Sequence, residues 1–160
     1  MAAGPFIIPD KAVLNIALGL LAPANTFKLS YHTSAWAPNP ATLEVFADVS
    51  NEIAAGGGYA AGGITLANDA LTISGSTVKF TGDAAELTAA GGSIPAWRYG
   101  VVRAVGTIAG KVDPIVGYFI GDIGANPQAP APADVPATTV GNKLSFTPNA
   151  AGICTIAKAA

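Results

Sequence analysis

Short runs in which apolar and polar residues alternate constrain the fold of this chain more than any other feature. Phe27, Leu29 and Tyr31 alternate with polar residues, and side chains two positions apart lie on the same face of a β-strand. The same alternation covers residues 71–81 on both sides of Gly75. The Gly-Ser connection there fits a type II′ turn, because glycine tolerates a positive φ at the first central position. We therefore predict a half-buried strand followed later by a β-hairpin.

Longer apolar runs add further strands. Residues 97–105 and 114–120 carry apolar side chains at both odd- and even-numbered positions, so both faces of these strands should be covered. Two shorter runs, 143–147 and 153–157, flank residues 148–152 and are predicted to form a closing hairpin. At 160 residues the chain has the size of one domain. The predicted fold is mainly β: an antiparallel β-sandwich of about seven strands with one short N-terminal helix and extended arms.

The N-terminal region is predicted to contain an extended arm, residues 1–9, and a helix that opens the single domain of residues 10–160. Asp10 is a suitable N-cap, and Pro23 ends the element. This helix should lie on a sheet, because so short a helix is marginal in water. Five apolar residues fall at helical spacing on the predicted contact side: Val13, Leu14, Ala17, Leu18 and Leu21. The arm needs a groove for three consecutive apolar residues: Phe6, Ile7 and Ile8.

Proline dominates one segment near the C-terminus, residues 126–139 (NPQAPAPADVPATT). Because proline lacks a backbone N–H, the segment is disfavoured in helices and strand ladders and is predicted to be extended and stiff. It forms either a solvated loop or an arm onto a neighbouring subunit, where a stiff segment loses little conformational entropy on docking. The predicted interface residues are its prolines and the apolar residues of the arm: Phe6, Ile7, Ile8, Pro127, Pro130, Pro132 and Pro136.

Charged residues make up only 11% of the chain, against about 25% in a typical soluble domain. A neutral surface suits a protein that is covered by partners, which indicates assembly. The eight basic residues are scattered, whereas nucleic-acid binding needs a basic patch. The apolar run of residues 12–22 is too short for a membrane span, which takes about 20 residues. Asp10 and Asn15 argue against reading the same run as a secretory signal.

No group of residues has the composition of a catalytic or metal site. The chain has one histidine, His32, and one cysteine, Cys154, which are too few ligands for a structural zinc site. Cys154 lies in an apolar run, where cysteine acts as a small hydrophobic residue. GGGYAA at residues 56–61 matches a relaxed dinucleotide-binding pattern, but β-like residues follow it where the chemistry needs a helix. We expect no enzyme, no cofactor and no metal.

Paired carboxylates are the residues that glycoside hydrolysis requires. The pairs closest in sequence are Glu44 with Glu52, and Asp83 with Glu86. For Glu52, the sequence favours a structural ion pair with Arg98 or Arg103 over a catalytic role.

Aromatic side chains offer a second binding hypothesis, stacking on a sugar ring. Trp97 and Tyr99 are predicted to share a strand face with Val101, which favours core packing for both. The candidate residues for a sugar-stacking platform are Trp36, Tyr59, Trp97 and Tyr99.

Three segments of the chain, taken in order, carry a resemblance. They read TFKLSYHTSAWAPNPATLEVFADVSNEIAAGGGYAAGGITLAN, then AWRYGVVR, and then IVGYFIGDIG. In this order the chain resembles a group of small tailed-phage proteins that are encoded among virion genes. The resemblance implies a virion structural role, as a head decoration or tail-associated protein, with no catalytic residue and no cofactor. The N-terminal arm and the Pro-rich segment look like additions to the shared core.

The expected function is accordingly that of a capsid decoration or cement protein, which binds the outer shell of the virion and stabilises it. Its expected partners are the major capsid protein and copies of itself in a homotrimer, and its expected location is the virion, assembled in the host cytoplasm. A tail or fibre-attachment component is the alternative, and a carbohydrate-binding module is a further one. No nucleic acid, membrane or small-molecule substrate is expected.

Overall fold

The computed structural model describes residues 3–75, 77–126 and 130–157. Most of its regular structure is β, as the alternation predicts, and the strands form several antiparallel sheets. The single α-helix among these residues is α1 (Asp10–Ala17), and a 3₁₀ helix spans Phe46–Asp48. The strands of the described residues are β1 (Phe27–His32), β2 (Ile64–Thr65), β3 (Ala70–Ser74), β4 (Thr77–Thr81), β5 (Ala85–Thr88), β6 (Tyr99–Ala104), β7 (Thr107–Ile108), β8 (Lys111–Val112), β9 (Ile115–Ile120), β10 (Lys143–Phe146) and β11 (Cys154–Ala157).

Four strands form a central sheet in the order β2-β1-β6-β9, each antiparallel to its neighbours. Both β6 and β9 are buried along nearly their whole length. This confirms that both faces of these strands are covered, as their apolar residues at both parities predict. The arrangement of all the sheets as a two-layer sandwich stays a prediction.

Two hydrophobic cores cover the opposite faces of the central sheet. One face presents Phe27, Leu29 and Tyr31 to the first core, which contains most of the buried apolar residues. The other face presents Val101 and Tyr118 to a second, smaller core, which side chains from residues 36–49 complete. Strand alternation therefore sends neighbouring residues of one strand into different cores.

The hairpin predicted around Gly75 is present as β3 and β4, which pair from Ala70 with Thr81 to Ser74 with Thr77. Gly75 has a φ of 61°, in the left-handed region that favours glycine. Residue 76 lies outside the described residues, so the type II′ turn stays a prediction. β11 pairs with the other edge of β4, which makes a three-stranded sheet in the order β11-β4-β3.

The predicted closing hairpin is wrong. β10 pairs with β5, with Leu144 opposite Leu87, while β11 pairs with β4, with Ile156 opposite Val78. A tight turn at Asn149, closed by the Gly152 N–H, redirects the chain from one sheet to the other, as occurs at the corners of packed sheets. Both strands have the composition of hairpin partners, but each pairs with an apolar strand of a different sheet.

The predicted contact side of the helix is also wrong. Ala12 and Asn15 are the buried residues of α1, whereas Val13, Leu14 and Leu18 are exposed. The helix stops at Ala17 instead of continuing to Pro23, and the chain turns through Gly19 at a φ of 100°. Leu20 and Leu21 then enter the first core outside the helix. The N-cap is Pro9, with no side-chain capping bond, and Asp10 lies in the first turn.

The N-terminal arm runs along β9 of its own chain. The Gly4 N–H donates to the Ile120 carbonyl, and Ile7 exchanges two backbone hydrogen bonds with Tyr118. The Phe6 ring lies over Gly117, where a Cβ would overlap it. The arm therefore extends the central sheet beyond β9, and a glycine makes room for it.

A Gly117→Ala substitution tests this account of the arm. The added Cβ would overlap the Phe6 ring and lie 2.5 Å from the Ile7 carbonyl oxygen, so we expect a loss of about 1–3 kcal/mol in the free energy of unfolding. Gly92→Ala is the matched control, because the nearest atom to its Cβ would be 3.8 Å away. Urea unfolding of the three proteins measures the difference, and equal midpoints for the two variants would contradict the account.

Candidate functional site

The apolar residues of the arm, predicted to form an interface, lie against their own domain. Phe6 and Ile8 are half-buried against the first core, and Ile7 is half-buried against the second. The groove that this segment needs is thus present within the same chain. Contact of these residues with another subunit stays a prediction.

The Pro-rich segment also folds back onto its own chain. Val135 exchanges backbone hydrogen bonds with Trp97, and its side chain is buried. Asp134 accepts from the Arg98 Nε at 2.8 Å. Three of the predicted interface prolines, Pro130, Pro132 and Pro136, are exposed; the fourth, Pro127, lies outside the described residues. Between residues 131 and 138 the segment therefore pairs with the backbone of its own domain.

The exposed side of α1 is an apolar surface without a partner in the described structure. Val13, Leu14 and Leu18 are 61%, 63% and 59% exposed. We call these three residues the helix surface. Scattered exposed hydrophobic residues are ordinary, whereas a contiguous apolar patch marks an interaction site.

A second exposed apolar surface lies on the three-stranded sheet. In the registers of β3, β4 and β11, Ile73, Val78 and Ile156 form one cross-strand row, and Ile73 is 76% exposed. We call Ile73 and Ile156 the strand surface. β3 is an edge strand, and its sequence ALTIS has no charge and no proline. Edge strands usually carry a charged residue or a proline, which prevents pairing with the strands of other chains.

His32 is the centre of a buried polar network. It lies on the predicted polar face of β1, yet it is only 1% exposed, because the second core covers that face. Its Nδ1 donates to the Ser50 carbonyl at 2.9 Å, and its Nε2 accepts from the Ser30 hydroxyl at 2.9 Å. A carbonyl only accepts, so the proton is on Nδ1. Burial lowers the pKa of His32, and Arg103 adds to this, whereas the Ser50 bond and Glu52 oppose it.

The Ser30 and His32 pair has the contact of a nucleophile with its base, which the sequence reasoning missed. The sequence could have indicated this contact, because the two residues are two positions apart on one strand and therefore share a face. Both side chains are fully buried, with 1% of each residue exposed. A substrate has no access to this hydroxyl, so the pair supports the fold.

Glu52 does not form the predicted ion pair with Arg98 or Arg103. Its Oε1 accepts from the Tyr59 hydroxyl at 2.5 Å and from the Gly62 N–H at 2.7 Å. Arg103 donates to the Gly62 carbonyl at 3.0 Å and stacks on the Phe46 ring. Because the Gly62 N–H donates to Glu52 and the Gly62 carbonyl accepts from Arg103, the acid and the base are joined through the backbone of one residue instead of by contact.

The other candidate arrangements are separated by the fold. Cys154 is buried in the first core, where burial raises its pKa to about 11, and His32 faces the second core. The GGGYAA loop leads into the strand β2 and not into a helix, so it lacks the dinucleotide geometry. Each candidate carboxylate has another bonding partner: Glu44 with Lys111, Glu52 with Tyr59, Asp83 with Asn68, and Glu86 with Lys143.

The four aromatic residues of the predicted sugar platform do not form one surface. Trp36 and Tyr99 pack in the second core, and Tyr59 and Trp97 pack in the first. The prediction that Trp97 and Tyr99 share a face is wrong, because regular pairing of β6 begins only at Tyr99. Core packing, the favoured alternative for Trp97 and Tyr99, is confirmed.

Neither a metal cluster nor a membrane span is found in the part of the chain that the structure describes. No three His, Cys, Asp or Glu residues there are grouped to hold an ion. No helix there is long and apolar enough to cross a bilayer.

No protein-family model matches the sequence, and no curated protein and no solved structure is detectably similar to it. The resemblance to tailed-phage proteins therefore stays a prediction.

The buried His32 predicts that acid destabilises the protein. A histidine whose pKa is lowered by folding binds a proton more readily in the unfolded state, so stability falls as the pH drops below about 6.5. We expect the free energy of unfolding in urea to be lower at pH 5.5 than at pH 7.5.

His32→Gln keeps a neutral polar side chain and is the matched variant. At pH 7.5 its free energy of unfolding should be about 1–3 kcal/mol lower than that of the wild type, because buried polar partners lose their hydrogen bonds. The difference between its free energies of unfolding at pH 5.5 and pH 7.5 should be smaller than in the wild type. His32 is the only histidine of the chain. A variant with the full pH dependence of the wild type would show that His32 is not its source.

Proposed function

We propose that this chain is a structural protein of a tailed-phage virion, which decorates the outer shell together with copies of itself. The observation that carries the proposal is the helix surface, three large apolar side chains that a chain acting as a monomer would leave in water. An exposed apolar surface on one side of a helix is typical of a protein–protein contact.

Composition supports the same proposal. With 11% charged residues, the chain lacks the mixed charges that keep a solitary domain soluble and free of association. The strand surface adds an edge that can accept another strand. The helix and strand surfaces are each smaller than a standard interface of about 800 Å² per partner. Several weak contacts made at once are therefore expected, which suits a protein held in a repeating shell.

A second copy of this chain is the proposed partner of the helix surface. Leu14 and Leu18 are one helical turn apart and form an apolar row, so three such helices can present their rows to one another around a threefold axis. No charge on these residues opposes self-contact, and isologous or cyclic contacts between copies are the usual route to closed oligomers. We propose a homotrimer, with the major capsid protein as the partner of the remaining surface.

A tail or fibre-attachment component is the alternative within the same class, since it needs the same kind of surface. The carbohydrate-binding alternative depends on an aromatic platform, and its four residues are divided between two cores. No specific observation favours it.

The copy number of the chain in purified virions tests the proposed location. A decoration protein covers a shell and is expected in hundreds of copies per particle, whereas a tail component is expected in tens or fewer. Quantitative mass spectrometry against the major capsid protein gives the ratio. Absence of the chain from washed particles would contradict both virion roles.

The oligomeric state of the full chain tests the helix surface. Leu14→Glu places a charge in the proposed contact, so we expect the mass in sedimentation equilibrium to fall from trimer to monomer without loss of thermal stability. Val140→Glu is the control, because Val140 is also 61% exposed but lies outside this surface. A monomeric wild type, or a Leu14→Glu protein with the wild-type mass, would contradict the contact.

A further inference from the structure

Strand β3 has one free edge, with which no strand of the described residues pairs. It is the last strand of the sheet β11-β4-β3, and β4 is its partner on the other side. Its sequence, ALTIS, carries neither the charge nor the proline that usually blocks a free edge. The backbone of β3 is therefore open to a further strand.

The register of the hairpin shows which backbone groups of β3 point outward. In an antiparallel pair, residues alternate between hydrogen-bonded and non-hydrogen-bonded positions. The Phe80 carbonyl accepts from the Ile153 N–H at 2.7 Å, on the β11 side of β4, so it points away from Leu71, the β3 partner of Phe80. Leu71 and Ile73, two positions along, therefore direct their N–H and C=O groups away from β4. These groups form a row along the free edge.

The side chains of the same two residues are apolar and exposed. Leu71 lies opposite the core residue Phe80 and is 38% exposed, and Ile73 lies opposite Val78 and is 76% exposed. On the other side of Val78, Ile156 of β11 is also 38% exposed. The apolar face of this sheet thus extends beyond the first core and is exposed to water at the free edge.

A second copy of β3 matches this edge by symmetry. When two β3 strands run antiparallel about a twofold axis at Thr72, Leu71 of each copy lies opposite Ile73 of the other. These are the residues whose backbone groups point outward, so each facing pair can exchange two hydrogen bonds. On one face, the apolar side chains of both copies meet in cross-strand contacts. The edge is its own complement, as an isologous contact requires.

No charged side chain of the three strands opposes this pairing. Asp69, which precedes β3, has its carboxylate beside Gly82 of its own chain. Lys79 is the one charged residue of β3, β4 and β11, and it lies opposite Thr72. In the pair, the two lysines would be three strand spacings apart, about 14 Å. This separation exceeds the screening length of about 8–10 Å at physiological salt.

We propose that β3 pairs with β3 of a second copy of this chain, antiparallel and centred on Thr72, so that the two three-stranded sheets become continuous. The inference rests on the proposed function in one respect, the assembly of copies, and it names the contact that the strand surface makes. The helix surface lies on another element, so the twofold contact joins neighbouring trimers.

The proposed seam is short, which determines how strongly it holds. It is smaller than a standard interface, so we expect a dissociation constant of about 0.1–1 mM for two free copies. The pair is therefore dissociated in dilute solution. It forms where a shell holds copies side by side, because the local concentration is then high.

A symmetric disulfide tests the pairing and its register. Thr72 is exposed, and in the proposed pair it faces its own counterpart at a non-hydrogen-bonded position, where Cα atoms are about 4.5 Å apart. That distance is within the range of a disulfide. Ile73→Cys is the matched control, because the counterpart of Ile73 is a diagonal neighbour about 7–8 Å away, too far for a disulfide.

Both cysteine variants are made in the full-length Leu14→Glu protein, which removes the contact through the helix surface. In a glutathione redox buffer and at equal protein concentration, we expect Thr72→Cys to give at least tenfold more covalent dimer than Ile73→Cys. Mass spectrometry identifies the two linked thiols. Cys154 is buried and its pKa is raised to about 11, so the native thiol should not contribute.

A charge on the edge tests the same pairing independently. Ile73→Lys, added to the Thr72→Cys protein, places a lysine in the seam and should lower the yield of covalent dimer at least tenfold. Val112→Lys is the control, because Val112 is 65% exposed but lies on β8, outside the seam. It should leave the yield unchanged.

Three results would overturn the proposal. Equal yields from Thr72→Cys and Ile73→Cys would contradict the register, and a yield that Ile73→Lys does not lower would contradict the pairing. Long polymers of the Leu14→Glu protein in sedimentation velocity would indicate that β3 adds to the β11 edge of the next copy, a contact that does not close. The trimer test is separate, because a monomeric wild type contradicts the helix contact and leaves the disulfide result unchanged.

Discussion

The central sheet is buried on both faces, and most of the molecule is arranged to cover it. β6 lies between β1 and β9 and has no solvent-facing side, so its alternate residues need two separate cores. The first core collects side chains from nearly every sheet, and the second is closed by the irregular residues 36–49. Burial of apolar area is the main favourable term in folding, and here it takes place on two sides of one layer.

Covering the second face also explains the buried polar residues. His32 and Arg103 lie on this face and lose contact with water when residues 36–49 pack over it. Their hydrogen bonds to Ser50, Ser30 and the Gly62 carbonyl then compensate part of the lost solvation. His32 is the only histidine in the sequence, and the fold uses it to join the loop at Ser50 to β1. Its chemistry is structural because nothing reaches it.

The proposed function rests on a surface that this packing leaves uncovered. The helix surface is apolar because the small residue Ala12 faces the sheet, which turns the larger Val13 and Leu14 outward.

The sequence by itself determined several of the strands, because both of the patterns used depend only on neighbouring residues: period-2 alternation places β1, β3 and β4, and continuous apolar runs place β6 and β9. It could not determine which strands pair, since β10 and β11 satisfy the local rules of a hairpin and yet bond to β5 and β4. It also could not orient α1, because helical spacing defines two faces and only the contact with β9 decides which is buried. The sites follow the same division. From the residue types we expect no catalytic or metal site, whereas the hydrogen bond of His32 to the Ser50 carbonyl and the bridging role of Gly62 exist only where tertiary packing brings distant segments together.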